Sequence, residues 1–457
     1  MKKGKNGKQN IRRSAEKPEA DFSRTDYLAV LPGILMCLLT LFMLLMDVSL
    51  QGMDAAQYKG YPDMFRAVNC IIAAAGIAFF ITEAIKQRNN GVSIRSAVRP
   101  VLHGDGSPGN MFRCISVAAF GLFIVLMLIS TAVNGLNDKA LHGVSFRNLG
   151  VPHLILLITV YMGLSGSIKS IAFRRTVMSS YLGVADLIAA AVLADRYISP
   201  IAAFGEKKDI SAIFFNGNHY GYFLVMAVLL AAGSFLYSDD LRARIFSLIS
   251  MVINLVVLAM NGSTGCMLAV AAVMLLTPLL TVLFKRSAIK TNLIMLSVLL
   301  AGFIVLSSTT GMLETLLSDT GAILSGSGDA ASAGHNRWLL WEKTAGYIAK
   351  KPLLGYGCEG LSDILMETTG RANPHNEILA YAAQFGIPAA VCYTVAVLAA
   401  FVSFLIRKPD PEEKETASVL VPCFMAAAGY FISSLFGVTM FYTLPLFFIF
   451  LGLSYKN

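Results

Sequence analysis

The most constraining feature of this chain is a series of apolar blocks, each about 20 residues long, separated by short charged islands. A helix needs about 20 mostly apolar residues to cross some 30 Å of hydrocarbon. In lipid only helices, or a closed barrel, satisfy every backbone polar group. Twelve blocks meet that length, near residues 28–49, 66–85, 114–133, 149–166, 172–194, 213–237, 244–260, 264–284, 291–309, 377–406, 418–435 and 439–455. Composition agrees. Apolar residues make up 56% of the 457 and charged ones 14%, against about 45–50% and 25% in soluble globular proteins. The mean hydropathy is +0.64. These figures exclude a soluble enzyme, a nucleic-acid-binding domain and a disordered chain. An all-α polytopic membrane protein is predicted, with about twelve transmembrane helices and one large extracytoplasmic loop.

Charge placement predicts the orientation. The chain carries a net charge of +9, and eight of its basic residues crowd before the first block, where Lys2, Lys3, Lys5, Lys8, Arg12, Arg13, Lys17 and Arg24 flank it. Such a flank holds the N-terminus on the cytoplasmic side. About two thirds of the 37 basic residues then fall in segments assigned to the inside, including Arg174/Arg175, Arg242/Arg244 and Lys285/Arg286. Both termini are expected in the cytoplasm of a multi-pass protein of the cell (inner or plasma) membrane. The first block is too long for the apolar core of a signal peptide. The seven cysteines show no paired spacing, so neither a disulfide framework nor a zinc site is indicated. The organisation expected is a basic cytoplasmic tail at 1–27, helices one to nine over 28–309, an outer loop over 310–376 and helices ten to twelve over 377–457. No inverted internal repeat of the transporter kind is evident, and 407–417 reads as a cytoplasmic linker.

The loop 310–376 is far longer than a connection requires, and long loops on a rigid scaffold tend to carry chemistry. It opens with the Gly/Ser/Ala-rich stretch from Leu324 to Gly334, expected to be mobile. Trp338, Trp341, Ala345 and Ile348 then recur at helical spacing, and Pro352 ends that helix. Both tryptophans of the chain lie here, as suits a helix resting at the membrane–water boundary. Pro352-Leu-Leu-Gly-Tyr-Gly357 reads as a tight turn that needs glycine backbone freedom. Asn373-Pro-His-Asn-Glu377 precedes span ten.

The order Arg337, Trp341, Pro352-Leu-Leu-Gly-Tyr-Gly357, His375-Asn376, Leu379 and Phe385-Gly386 resembles the signature of the O-antigen ligase and O-antigen polymerase superfamily. Asn216-Gly-Asn218 resembles the family's Asn-x-Asn element, and Thr264 stands where a Ser-Arg-Gly arginine is common. The resemblance implies a membrane glycosyltransferase of surface polysaccharide assembly with a GT-C-like architecture. Its reaction would move a sugar chain from undecaprenyl pyrophosphate to the hydroxyl of a saccharide or glycolipid acceptor at the outer face of the membrane. It further implies inversion, no metal and no cofactor. The partners implied are the lipid-linked oligosaccharide, the bilayer, and chain-length regulator and flippase proteins, with no nucleic acid.

Such a reaction needs a base for the acceptor proton and cations for the departing pyrophosphate. His375 is the candidate base, since imidazole titrates near pH 6.5. Asn376 would orient it or the sugar, and Glu377 would share the base role. The plainer alternative is that His375 and Asn376 cap span ten. Arg337 is the preferred pyrophosphate clamp, because guanidinium matches phosphate oxygens two at a time. Arg371 and Lys208 follow it, with Asn216 and Asn218 as sugar-binding candidates. Lys350 and Lys351 suit a helix end facing water better than a site. His219 either lines the substrate path or packs, and Asp186 inside span five either lines a polar cavity or pairs locally. A transporter or flippase is the competing function, because twelve spans suit it equally.

Overall fold

A computed structural model describes residues 62–71, 73–74, 108–144, 147–167, 170–199, 210–214, 216–309, 312–325, 333–406 and 414–455. The basic tail 1–27, span 28–49, most of span 66–85, Lys208, the centre of the Gly/Ser/Ala stretch and most of the 407–417 linker lie outside these residues. Helix dominates, and no strand occurs among the described residues. We number the helices from α1 (Pro108–Asn134) and α2 (Asp138–His142) through α3 (Val151–Ser167), α4 (Ile171–Tyr197), α5 (Gly217–Tyr237), α6 (Leu241–Asn261), α7 (Thr264–Phe284) and α8 (Ile289–Thr309). The long loop folds into α9 (Met312–Ser325), α10 (Ala333–Lys350) and α11 (Ser362–Thr369). The chain closes with α12 (Glu377–Phe385), α13 (Ile387–Ile406), α14 (Lys414–Ser434) and α15 (Leu444–Leu453). Eight of the described helices are long and apolar enough to cross a membrane, and α3 and α15 are shorter apolar helices. The protein is a polytopic helical membrane protein.

The core sits on α5, which is buried along almost its whole length and packs against α6 and α14. A second seam joins α1 to α13, and a third joins α3 to α15. The outward residues of α1, α6, α7 and α8 are large and apolar, among them Val133, Ile249, Leu275 and Ile294. An apolar surface of this kind is stable against lipid tails. Asp186, within α4, pairs locally. It accepts from Ser250 Oγ at 2.5 Å and from Asn254 Nδ2 at 2.7 Å, both on α6.

Two of the expected spans are corrected by the structure. Span ten, expected to be continuous over 377–406, breaks at Gly386 into α12 and α13. Span twelve, expected over 439–455, is helical only as Leu444–Leu453, because 436–443 forms a loop at the end of the bundle.

The break in span ten has a physical cause. The turn from Pro352 to Gly357 returns onto it, and the two segments exchange backbone hydrogen bonds. Tyr356 N donates to Ala383 O at 2.9 Å, Gly357 N to Gln384 O at 2.8 Å, and Ile387 N to Pro352 O at 2.8 Å. Ser130 Oγ on α1 donates to Leu354 O at 2.6 Å and to Gln384 O at 3.1 Å, tying both segments to the bundle. Gly355 and Gly386 have φ of +60° and +93°. A Cβ at Gly355 would stand 2.6 Å from the Ala383 and Gln384 carbonyl oxygens. Gly386→Ala should therefore cost about 1–3 kcal/mol from the left-handed backbone alone. Gly346→Ala, in open space within α10, should be neutral or stabilise by up to about 1 kcal/mol. Thermal unfolding in detergent measures both.

Candidate active site

Chain connectivity places the C-termini of α1, α6 and α14 and the N-termini of α5, α7 and α15 at one end of the bundle. The loop helices α9 to α11 cover that end. Residues from seven segments meet there.

Helix α10 turns a stripe of Arg337, Leu340, Trp341, Thr344 and Ile348 inward, with Leu340 and Thr344 almost fully buried. This corrects the expected face. Trp338 is 39% exposed and Ala345 is also exposed, while Trp341 is half-buried. Its indole N–H donates to Pro374 O at 2.9 Å, and its ring lies 6.4 Å from that of Phe436. Trp341 therefore pins the loop to α10. Arg337 is four residues earlier on the same face, so the bond to Pro374 brings it toward the residue that follows, His375.

His375 has φ of +53°. Its N–H donates to Asn373 Oδ1 at 2.9 Å, and its Nδ1 lies 2.8 Å from Asn373 O. A carbonyl only accepts, so Nδ1 carries the hydrogen and Nε2 keeps the lone pair. Arg371 Nη1 points at that Nε2 from 3.4 Å. Burial, the largest cause, together with the charges of Arg371, Arg337 and Arg147, pushes the imidazole down to about 4, although the contact with Asn373 opposes this. Burial and the like charge of Arg371 also lower Arg337, while Tyr222 and Cys266 oppose them. A guanidinium so far above neutrality remains charged. The structure thus brings Arg337, Arg371 and His375 together.

The other sequence candidates occupy supporting places. Asn376 caps α12, its Oδ1 accepting from Leu379 N at 3.0 Å. Glu377 is 2% exposed, and its Oε1 accepts from Tyr381 OH at 3.1 Å and Tyr393 OH at 2.9 Å. Asn216 caps α5 by accepting from Asn218 N at 2.8 Å, and Asn218 Oδ1 accepts from Ser263 Oγ at 2.9 Å. Asn261 Nδ2 donates to Ile210 O at 2.5 Å and Gly217 O at 2.9 Å, so the α6–α7 turn is knotted to the start of α5. His219 is buried, with Tyr442 OH 2.9 Å from its Nδ1, and lies within electrostatic reach of His375.

Three residues of this end carried no readable signal in the sequence. Asn373 orients His375 through both of its carbonyl oxygens, and Arg147 and Glu359 form a buried ion pair beside them. Arg147 belongs to a predicted outer turn, which marked its side of the membrane and nothing more.

No curated protein matches the chain. The family model described as O-Antigen ligase matches residues 249–394, from within α6 to within α13. The match takes in Arg337, Trp341, the Pro352–Gly357 turn and Arg371–Glu377, and leaves Arg147, Asn216, Asn218 and His219 outside it. Over this stretch, about a third of its length, the chain is similar to the O-antigen ligase family.

Proposed function

We propose that this protein transfers an oligosaccharide from undecaprenyl pyrophosphate to an acceptor hydroxyl at the outer face of the cell membrane, as a polymerase or ligase. The observation that carries this reading is one imidazole lone pair, His375 Nε2, facing Arg371 with Arg337 beside it at one end of a helical membrane bundle. His375 Nε2 takes the proton of the acceptor hydroxyl as its oxygen attacks the anomeric carbon. The bond from that carbon to the pyrophosphate oxygen breaks, and the electron pair leaves with the phosphate. Arg337 and Arg371 hold the charge that develops there, the role of fixed cations at a transferring group. A single displacement inverts the anomeric centre. Two guanidiniums supply the counter-charge, so the reaction is proposed to need no metal.

In this reading Asn376 and Glu377 hold the loop rather than react, since Asn376 Oδ1 caps α12 and Glu377 Oε1 is held by two tyrosines. The segment 310–376 is the reaction-bearing outer loop. Asn216 and Asn218 shape the sugar-facing entrance of α5, and Lys208 just before it adds a further cation. Chain-length regulator and flippase proteins are the proposed partners.

In liposomes supplied with the lipid-pyrophosphate oligosaccharide, His375→Ala should lower transfer by about 10²–10⁴-fold, the range of a lost general base. Arg337→Ala should lose comparable activity, with insertion and thermal unfolding unchanged in both. Wild-type product yield in the two variants would remove the assignment. The pH dependence provides a second test. His375 acts as the neutral imidazole, which predominates above a pKa of about 4. Activity should therefore hold on the acid side down to about that pH. Arg371→Gln removes a charge that disfavours the imidazolium, so the acid limb should move up toward the ordinary histidine value near 6.5.

A further inference from the structure

The reaction above uses two guanidiniums and leaves a third, deeply buried one without a task. We propose that Arg147 is a positioning residue of this site, its fork joining the turn that leads to Arg371 and His375 to the loop that backs Trp341 and His219. The proposal rests on the transfer reading and deepens it.

The side chains of Arg147 and Glu359 are 3% and 2% exposed, and Arg147 Nη1 donates to Glu359 Oε1. The same guanidinium reaches a second segment, with Nε donating to Thr439 O at 3.3 Å and Nη2 to Thr439 Oγ1 at 3.3 Å. Thr439 lies in the loop between α14 and α15. Three residues before it is Phe436, against Trp341, and three after it is Tyr442, whose hydroxyl meets His219. Glu359 follows the Pro352–Gly357 turn in a left-handed conformation, φ +55°. Its carbonyl accepts from Ser362 N at 3.1 Å and Ser362 Oγ at 2.7 Å at the start of α11. Helix α11 ends two residues before Arg371. One side chain thus grips both walls of the cluster, from a turn remote from either in sequence.

A buried ion pair is a poor device for stability alone, because well-packed apolar residues of similar volume often serve as well or better. What apolar residues cannot supply is a fixed positive charge, and the charge of Arg147 reaches His375, His219 and Glu377. The charged and titratable groups around His375 are therefore Arg371, Arg337, Arg147 and His219.

The test uses the full chain in liposomes with the lipid-pyrophosphate oligosaccharide. Arg147→Met should lower kcat about tenfold or more, since small misplacements of reacting groups cost up to about 10²-fold. KM for the donor should stay within about threefold, the pattern of an interaction that matters in the transition state. The acid limb of kcat should move to higher pH, because the imidazole loses a neighbouring cation. Arg147→Lys keeps the charge without the fork. It should keep the wild-type acid limb while recovering only part of kcat. Wild-type kcat in both variants overturns the proposal, as does a lowered Tm in Arg147→Met with an unmoved acid limb, which marks a brace and nothing more. Should Arg147→Met not fold, Arg147→Lys decides: reduced kcat at an unmoved acid limb supports the role, and wild-type kcat overturns it. A wild-type protein that forms no product overturns the transfer reading itself, and this inference with it.

Discussion

A helix that crosses a bilayer keeps its backbone hydrogen bonds within itself, because lipid offers no other partner. The stretch 377–406 gives up that continuity at Gly386, and the carbonyls of Ala383 and Gln384 bond to Tyr356 and Gly357 instead. The exchange is possible because the opened backbone is covered by protein. Ser130 on α1 and the Pro352–Gly357 turn enclose it on two sides. The long loop is anchored to the bundle through this pairing. Helix α10 enters the turn directly, and α11 and the segment to His375 leave it, so the position of both site walls follows from the junction.

Three lesser contacts complete the placement. Trp341 ties α10 to the carbonyl before His375, Asn373 fixes the imidazole, and Arg147 ties the returning turn to the loop before α15. The second and third contacts also bear on protonation and charge. The Asn373 carbonyl decides which imidazole nitrogen bears hydrogen. The neighbouring guanidiniums make the proton on that ring expensive, so the site offers a neutral base amid cations. A diphosphate arriving there would meet positive charge and a lone pair together. That combination suits expulsion of an anionic leaving group by a hydroxyl, and it needs no ionisable residue of the kind that marks mid-membrane transport paths. Asp186, an acid near the middle of α4, is instead taken up by Ser250 and Asn254.

Much of this was legible before any coordinates. The apolar blocks give seven of the observed helices within a few residues, and α7 (Thr264–Phe284) coincides with its block. Pro352 ends α10 where proline must, and the two glycines of the following turn do adopt left-handed backbone. The sequence misjudged the tryptophan helix, because spacing defines a face without saying what the face meets. It also read 377–406 as one span, since hydropathy does not register a backbone that finds its partners elsewhere. Arg147, Glu359 and Asn373 were invisible for a related reason. Their meaning lies in contacts across 212 to 292 residues for Arg147, and in a local turn geometry for Asn373.

The sequence by itself determined the solvent this chain folds in, the helical class and the lengths of most spans. Each of these follows from apolar length or the chemistry of proline and glycine, which act locally. Only the tertiary structure decided that Arg337 and Arg371 stand around one imidazole, that Nε2 keeps its lone pair and faces Arg371, and that Glu377 is buried against two tyrosines. Those outcomes depend on distances between segments that the bilayer leaves unconstrained, and they are fixed by a handful of directional hydrogen bonds at the end of the bundle.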